Sequence, residues 1–91
     1  MPDTYSYRFS AAANMRDVEE ALLLSTAAAE GLHGRSRVQL DASFRCDPKA
    51  RTAEVDASSE VGNSIARIFT ALLTTTIGES AFRVERAVKE A

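Results

Sequence analysis

The chain has 91 residues and a formal charge of −2 at pH 7, so it has room for one small hydrophobic core and lacks an excess of positive charge. Apolar residues make up 45% of it and charged residues 26%, which is typical of a folded domain and not of a disordered segment. The weakly acidic balance disfavours nucleic acid as a partner. We therefore expect one domain spanning residues 1–91.

Cysteine and histidine each occur once, as Cys46 and His33. This excludes a disulfide within the chain and a zinc site built from Cys and His ligands. No segment has the pattern of a signal peptide or the roughly 20 apolar residues of a membrane span. We expect a cytoplasmic protein without a metal or cofactor and without contact to a membrane.

The first predicted elements are a strand over residues 4–10 and a helix over residues 14–31. Tyr5, Tyr7 and Phe9 alternate with polar residues, as in a half-buried strand. Asn14 is a suitable helix cap. The residues of this helix that we expect to face the core, because they recur at helical spacing, are Val18, Ala21, Leu22, Ser25, Ala28, Ala29 and Leu32.

Two further strands are predicted at 36–46 and 51–57, joined by the turn that starts with Asp47 and Pro48. In the first of them apolar residues alternate with polar ones from Arg37 to Cys46. This alternation places Cys46 on the buried face as a structural thiol. The predicted register places Phe44 opposite Ala53, Ala42 opposite Val55 and Leu40 opposite Ala57, with Asp41 and Asp56 as a like-charged pair.

The last predicted elements are a helix over residues 59–77, capped by Ser58 or Ser59, and a strand over residues 81–86. The apolar residues of the helix recur at helical spacing. Residues 82–90 also fit a continuation as helix, and the sequence leaves that alternative open.

The resulting order, β-α-β-β-α-β, resembles the ferredoxin-like fold, an α+β two-layer sandwich. The resemblance implies a four-stranded antiparallel sheet with two helices on one face. Right-handed crossovers would place the third strand between the first and second, and the first between the third and fourth. This architecture carries many unrelated functions, so it does not identify one.

Known activities of this architecture find little support in the residues. Recognition of RNA needs aromatic side chains on the open face of the sheet, but the predicted open face is polar. Phosphate chemistry similar to that of acylphosphatases needs a glycine-rich loop after the first strand, and residues 10–13 contain no glycine. We identify no catalytic residue, and His33 fits a helix end or the surface better than a catalytic base.

Two carboxylates and a basic loop are the remaining candidate sites. Asp41 and Asp56 could hold a metal or share a proton, although neighbouring arginines would neutralise them more simply. A predicted anion site combines residues at the end of the first helix with the start of the second. Its residues are Arg35, Arg37, Ser58 and Ser59, and nearby acidic residues would weaken it.

The sequence therefore predicts a protein-interaction or homo-oligomerisation module that is not an enzyme. Its partner would be a second copy, giving a homodimer, or another protein, which meets the polar sheet face or an edge strand. The residues expected to form this contact are Arg8, Arg37, Arg45, Glu54 and Arg83. The alternative is a regulatory domain that binds a small anionic ligand at the predicted anion site.

Overall fold

A computed structural model describes residues 3–88 of the chain. Four strands form one antiparallel sheet: β1 (Asp3–Phe9), β2 (Phe44–Asp47), β3 (Thr52–Asp56) and β4 (Phe82–Val88). They lie in the order β2-β3-β1-β4. Strand β3 therefore lies between β1 and β2, strand β1 lies between β3 and β4, and β2 and β4 are the edges.

The helices are α1 (Met15–His33), α2 (Arg35–Asp41) and α3 (Glu60–Thr76), and a 3₁₀ turn (Glu79–Ala81) precedes β4. The predicted α+β class with a four-stranded antiparallel sheet is confirmed. The predicted order with two helices is not matched, because α2 stands between the first helix and the second strand.

Helix α1 begins where the sequence predicted and ends two residues later. The Asn14 side chain accepts a hydrogen bond from the Arg16 backbone N–H at 2.9 Å, which caps the first turn. Gly34, with φ of 90°, ends the helix. Ala28 and Leu32 were expected in the core but are exposed. Ala28 lies at the edge of the buried stripe that starts at Met15, and Leu32 lies beyond Ala29, the last buried residue of the helix.

The predicted strand over residues 36–46 was wrong in its first part, which forms α2. Val38 and Ala42 are four residues apart, so a helix turns both toward the core and turns Leu40 away from it. Accordingly Val38 is buried, Ala42 packs against the core, and Leu40 is 84% exposed. A short run of alternating residues is compatible with the repeat of a strand and with that of a helix. Here the helix forms because it buries Val38 and Ala42 in the core.

The hairpin exists, but its register differs from the prediction by two residues. Phe44 lies opposite Val55 and Cys46 lies opposite Ala53. Asp47 pairs with Thr52 instead of Ala50, so the residues between the paired strands are 48–51, two more than the predicted register allowed. Arg51, the last of them, has φ of 57°. The apolar residues still share one face, since a shift of two preserves the alternation.

The core lies between one face of the sheet and helices α1 and α3. Tyr7 packs edge-on against Phe69, with ring centroids 4.8 Å apart and planes at 67°. The Tyr7 hydroxyl makes a hydrogen bond with Thr70 Oγ1 at 2.8 Å and donates to the Ala66 carbonyl at 3.3 Å. Burial raises the pKa of Tyr7, so a neutral phenol stabilises the fold until the pH rises above about 10.

The last element is a strand, which resolves the alternative that the sequence left open over residues 82–88. Residues 89 and 90 of that prediction lie outside the described residues. Strand β4 is linked to the start of β1 by an ion pair of 2.5 Å between the Arg86 guanidinium and the Asp3 carboxylate. At the opposite end of β1, the Arg51 guanidinium donates to the carbonyls of Ser10 and Ala13.

Candidate functional site

The open face of the sheet carries four of the five residues predicted to form a contact. Arg8 of β1 lies directly opposite Arg83 of β4, and both are exposed. Arg45 of β2 lies opposite Glu54 of β3, with an ion pair of 3.1 Å. Within residues 3–88 neither Arg8 nor Arg83 has a carboxylate within 4.0 Å. Two like charges opposite each other destabilise a sheet unless a partner neutralises them.

Arg37, the fifth predicted contact residue, lies elsewhere because it belongs to α2. Its guanidinium is 3.8 Å from the Asp41 carboxylate and 3.6 Å from the Glu60 carboxylate. All three side chains are largely exposed to water, where such pairs contribute little stability. Arg37 therefore connects α2 to the start of α3 and is not part of the open sheet face.

Residues of the predicted anion site make contacts within the chain. Ser59 Oγ accepts from the Gly62 N–H at 3.0 Å and donates to the Asp41 carbonyl at 3.2 Å. The Ser58 N–H donates to the Asp56 carboxylate at 2.9 Å. With Arg37 facing two carboxylates, the local charge opposes an anion. Arg35 is exposed on the first turn of α2 and makes no ion pair within residues 3–88.

Asp41 and Asp56 are not the cross-strand pair that the sequence predicted. Asp41 ends α2, whereas Asp56 lies at the end of β3 opposite Thr4. The correction follows from the helix at residues 35–41, which removes Asp41 from the sheet. Across residues 3–88, no group of three or more His, Cys, Asp or Glu side chains has the arrangement needed to hold a metal ion.

An open depression of about 440 Å³ brings His33 of α1 close to Ser64 of α3. His33 Nε2 and Ser64 Oγ are 2.8 Å apart. A catalytic serine and histidine need a third group that orients the ring through Nδ1, and the hydrogen bonds within residues 3–88 include none to that atom. The sequence did not indicate this pair, because 31 residues separate its members.

Cys46 is half-buried on β2, in a shallow groove that also contacts Leu22 and Leu23 of α1 and Phe44. Burial raises the pKa of the Cys46 thiol, and the carboxylates of Glu19 and Asp47 raise it further. The thiol is therefore a weak nucleophile at neutral pH. This agrees with a structural role for Cys46.

The solvent-facing side of α1 is the feature that sequence reasoning missed. Leu23, Leu24 and Leu32 are 67%, 60% and 68% exposed, and Ala27 and Ala28 between them are exposed as well. We call these five residues the α1 outer face. The sequence could have indicated this face, because α1 carries apolar residues on more than one side. This pattern is typical of a helix that packs against something on each of those sides.

Neither models of known protein families nor curated protein sequences show a match to this chain. The argument for function therefore depends on the surfaces described above. Of the helices within residues 3–88, none combines the length and the hydrophobicity that crossing a lipid bilayer requires.

Proposed function

We propose that this protein is a protein-interaction module that associates with copies of itself and is not an enzyme. The observation that carries the proposal is the α1 outer face, where three leucines are each at least 60% exposed. Together with the alanines, they form an apolar patch on the order of a few hundred Å², a size that marks contact surfaces. A second copy that covers this patch removes its apolar side chains from water, which favours association.

The expected affinity follows from the size of this patch. Full burial of a leucine side chain contributes about 1.5–3 kcal/mol, and the three leucines are already partly covered. Because Leu23 and Leu32 lie on opposite sides of α1, one contact buries at most two leucines of each copy. These four leucines must also offset an association cost of at least about 4 kcal/mol. We therefore expect a dimer that dissociates on dilution, with a dissociation constant on the order of micromolar.

The open sheet face supplies a second candidate contact, for an acidic protein surface. It is supported by Arg8 and Arg83, which lie opposite each other and, within residues 3–88, have no carboxylate within 4.0 Å. A partner that places carboxylates over this pair would relieve the repulsion.

We further propose that the fold is a ferredoxin-like variant with α2 inserted. We also propose that the protein is cytoplasmic, since one unpaired cysteine favours a reducing compartment.

Sedimentation equilibrium over a range of concentrations tests the proposed function. We expect the mass to rise from that of the 9.8 kDa monomer to twice that value. Leu24→Glu should lower the association constant at least about tenfold, because it places a charge on the apolar patch. Ala71→Glu adds the same charge to an exposed position on α3 and should leave association unchanged.

Two other outcomes would contradict this assignment. If Arg8→Glu together with Arg83→Glu abolishes association while Leu24→Glu does not, the sheet face forms the contact. If the protein stays monomeric at all concentrations and no variant changes its mass, self-association is wrong.

A further inference from the structure

We infer that β4 pairs edge to edge with β4 of a second copy, with the two strands antiparallel and Val84 on the two-fold axis. The two sheets then form one continuous sheet. This inference goes beyond the proposed function, because it assigns a second contact that does not involve the α1 outer face. The hydrogen-bond pattern, the open edge and the charges of β4 support it.

Strand β4 directs the backbone groups of every second residue toward the edge of the sheet. The Ser10 N–H donates to the Ala81 carbonyl at 2.9 Å. Because hydrogen-bonded residues alternate along an antiparallel ladder, the odd-numbered residues of β4 bond to β1. The N–H and C=O groups of Phe82, Val84 and Arg86 therefore point away from β1, and within residues 3–88 no strand lies beyond β4.

This edge has little of the protection that edge strands usually carry. Proteins protect such edges with short strands, prolines, lysines or charges that point inward. Strand β4 is seven residues long and contains no proline, glycine or lysine, whereas β2, the other edge, has four residues and is followed by Pro48. Arg86 does lie on the helix side of β4, but the Asp3 carboxylate of its own chain neutralises it. Strand β4 is therefore the edge that is open to pairing.

Charge complementarity selects the register of the two strands. With Val84 on the axis, Arg83 of each copy lies directly opposite Glu85 of the other. A shift of the axis by one residue would place Arg83 opposite Arg83, or Glu85 opposite Glu85, and like charges opposite each other destabilise a sheet. Within residues 3–88 neither Arg83 nor Glu85 makes an ion pair, so both can pair with the second copy.

The second copy also relieves two unfavourable features of the monomer. Arg8 and Arg83 lie opposite each other on the open sheet face, and the pairing places Glu85 of the second copy on the other side of Arg83, in the same row across the sheet. On the helix side, Val84 is 37% exposed, and Val84 of the second copy covers part of it. One contact therefore neutralises a like-charged pair and removes apolar surface from water.

We expect this contact to be weaker than the one at the α1 outer face. It involves a single strand from each copy, and the backbone groups that pair are already hydrogen-bonded to water in the monomer. The dissociation constant should therefore be on the order of millimolar, so the contact does not form at the micromolar concentrations expected for the α1 outer face. Copies that use both surfaces would form assemblies larger than a dimer.

Charge reversal in a chain that carries Leu24→Glu tests the register without the α1 contact. At about 1 mM, sedimentation equilibrium should show a mass above that of the monomer. Arg83→Glu and Glu85→Arg should each lower the association constant at least about tenfold, because each places like charges opposite each other twice in the dimer. The chain with both changes has opposite charges at these positions again and should regain association. Arg35→Glu, the same change of charge on α2, is the control and should have no effect.

Amide hydrogen exchange measured by NMR distinguishes the β4 edge from the open sheet face. When the concentration of the Leu24→Glu chain rises from about 0.05 mM to about 1 mM, the Val84 N–H should exchange about twofold more slowly, because about half of the chains are then paired. The Glu85 N–H already bonds to β1 and should not change. If the charge variants behave as expected but exchange at Val84 is unchanged, the copies meet through the open sheet face and the inference is wrong.

Two further results would overturn the inference. The first is a doubly substituted chain, with Arg83→Glu and Glu85→Arg, that does not regain association. The second is a Leu24→Glu chain that stays monomeric at about 1 mM. In either case, association of the unsubstituted chain at micromolar concentrations would still support the proposed function.

Discussion

Two glycines, Gly62 and Gly31, differ in whether the surrounding structure leaves room for a side chain. A Cβ atom built on Gly62 would lie 1.9 Å from the Asp56 carbonyl oxygen, a backbone atom. The first turn of α3 therefore approaches the end of β3 more closely than any other residue type would permit. Gly31 is in the opposite situation, because a Cβ atom there would meet no atom within 4 Å outside its own helical turn.

Gly62→Ala should therefore destabilise the monomer by about 2–4 kcal/mol, because the backbone of β3 must move to accept the methyl group. Gly31→Ala is the matched control and should leave the monomer unchanged or stabilise it by up to about 1 kcal/mol. Urea denaturation of dilute protein measures both free energies of unfolding. Equal effects of the two substitutions would show that Gly62 is not a point of close contact.

At the scale of the elements, the start of α3 organises the helical layer. Ser59 caps α3 through the Gly62 N–H and also donates to the carbonyl of Asp41, the last residue of α2. One hydroxyl therefore joins a helix that the sequence predicted to one that it did not. This contact, with Val38 in the core, explains why residues 35–41 pack as a helix beside α3.

Ser59→Ala should lower the free energy of unfolding by about 1–2 kcal/mol, because it removes the cap and the bond to α2. Ser58→Ala is the control: the neighbouring serine is exposed, and its side chain makes no hydrogen bond within residues 3–88. Its substitution should change the stability by less than about 0.5 kcal/mol. Thermal and urea denaturation followed by circular dichroism compare the pair, and a larger loss for Ser58→Ala would disprove the assigned cap.

At the scale of the whole molecule, the two faces of the sheet differ in their surroundings. Tyr7, Phe9, Ala53 and Val55 are buried beneath the helices, whereas the opposite face carries charged residues that remain partly exposed. The helical layer in turn leaves the α1 outer face in water. A domain of this size buries only about 60–65% of its unfolded surface, so a second copy would add substantially to its stability.

Association should therefore make thermal unfolding depend on protein concentration. Where the dimer is the main species, a tenfold rise in concentration should raise the melting temperature by about 4 °C, because only the folded chain associates. Leu24→Glu, which should remain monomeric, should melt at the same temperature throughout. A melting temperature that does not change with concentration in the unsubstituted protein would contradict self-association through any surface.

Much of the fold was predictable from single residues and short patterns. Asn14 was identified as a cap, the cap of α3 was narrowed to Ser58 or Ser59, and the alternation at Tyr5, Tyr7 and Phe9 placed β1 with its buried face. These signals are local, because a cap or an alternating strand is decided within a few neighbouring residues. Where two local patterns agree over a short stretch, as at Val38 and Ala42, the sequence could not distinguish helix from strand.

The candidate surfaces show the same division. By itself the sequence determined which side of β1, β3 and β4 is polar, and so placed Arg8, Glu54 and Arg83 on the open sheet face. Only the tertiary structure decided that Arg37 leaves that face, that His33 meets Ser64, and that Leu24 and its neighbours stay exposed. The physical reason is that apolar spacing shows which residues avoid water, whereas exposure depends on what packs against each side of a helix, and that is decided by distant parts of the chain.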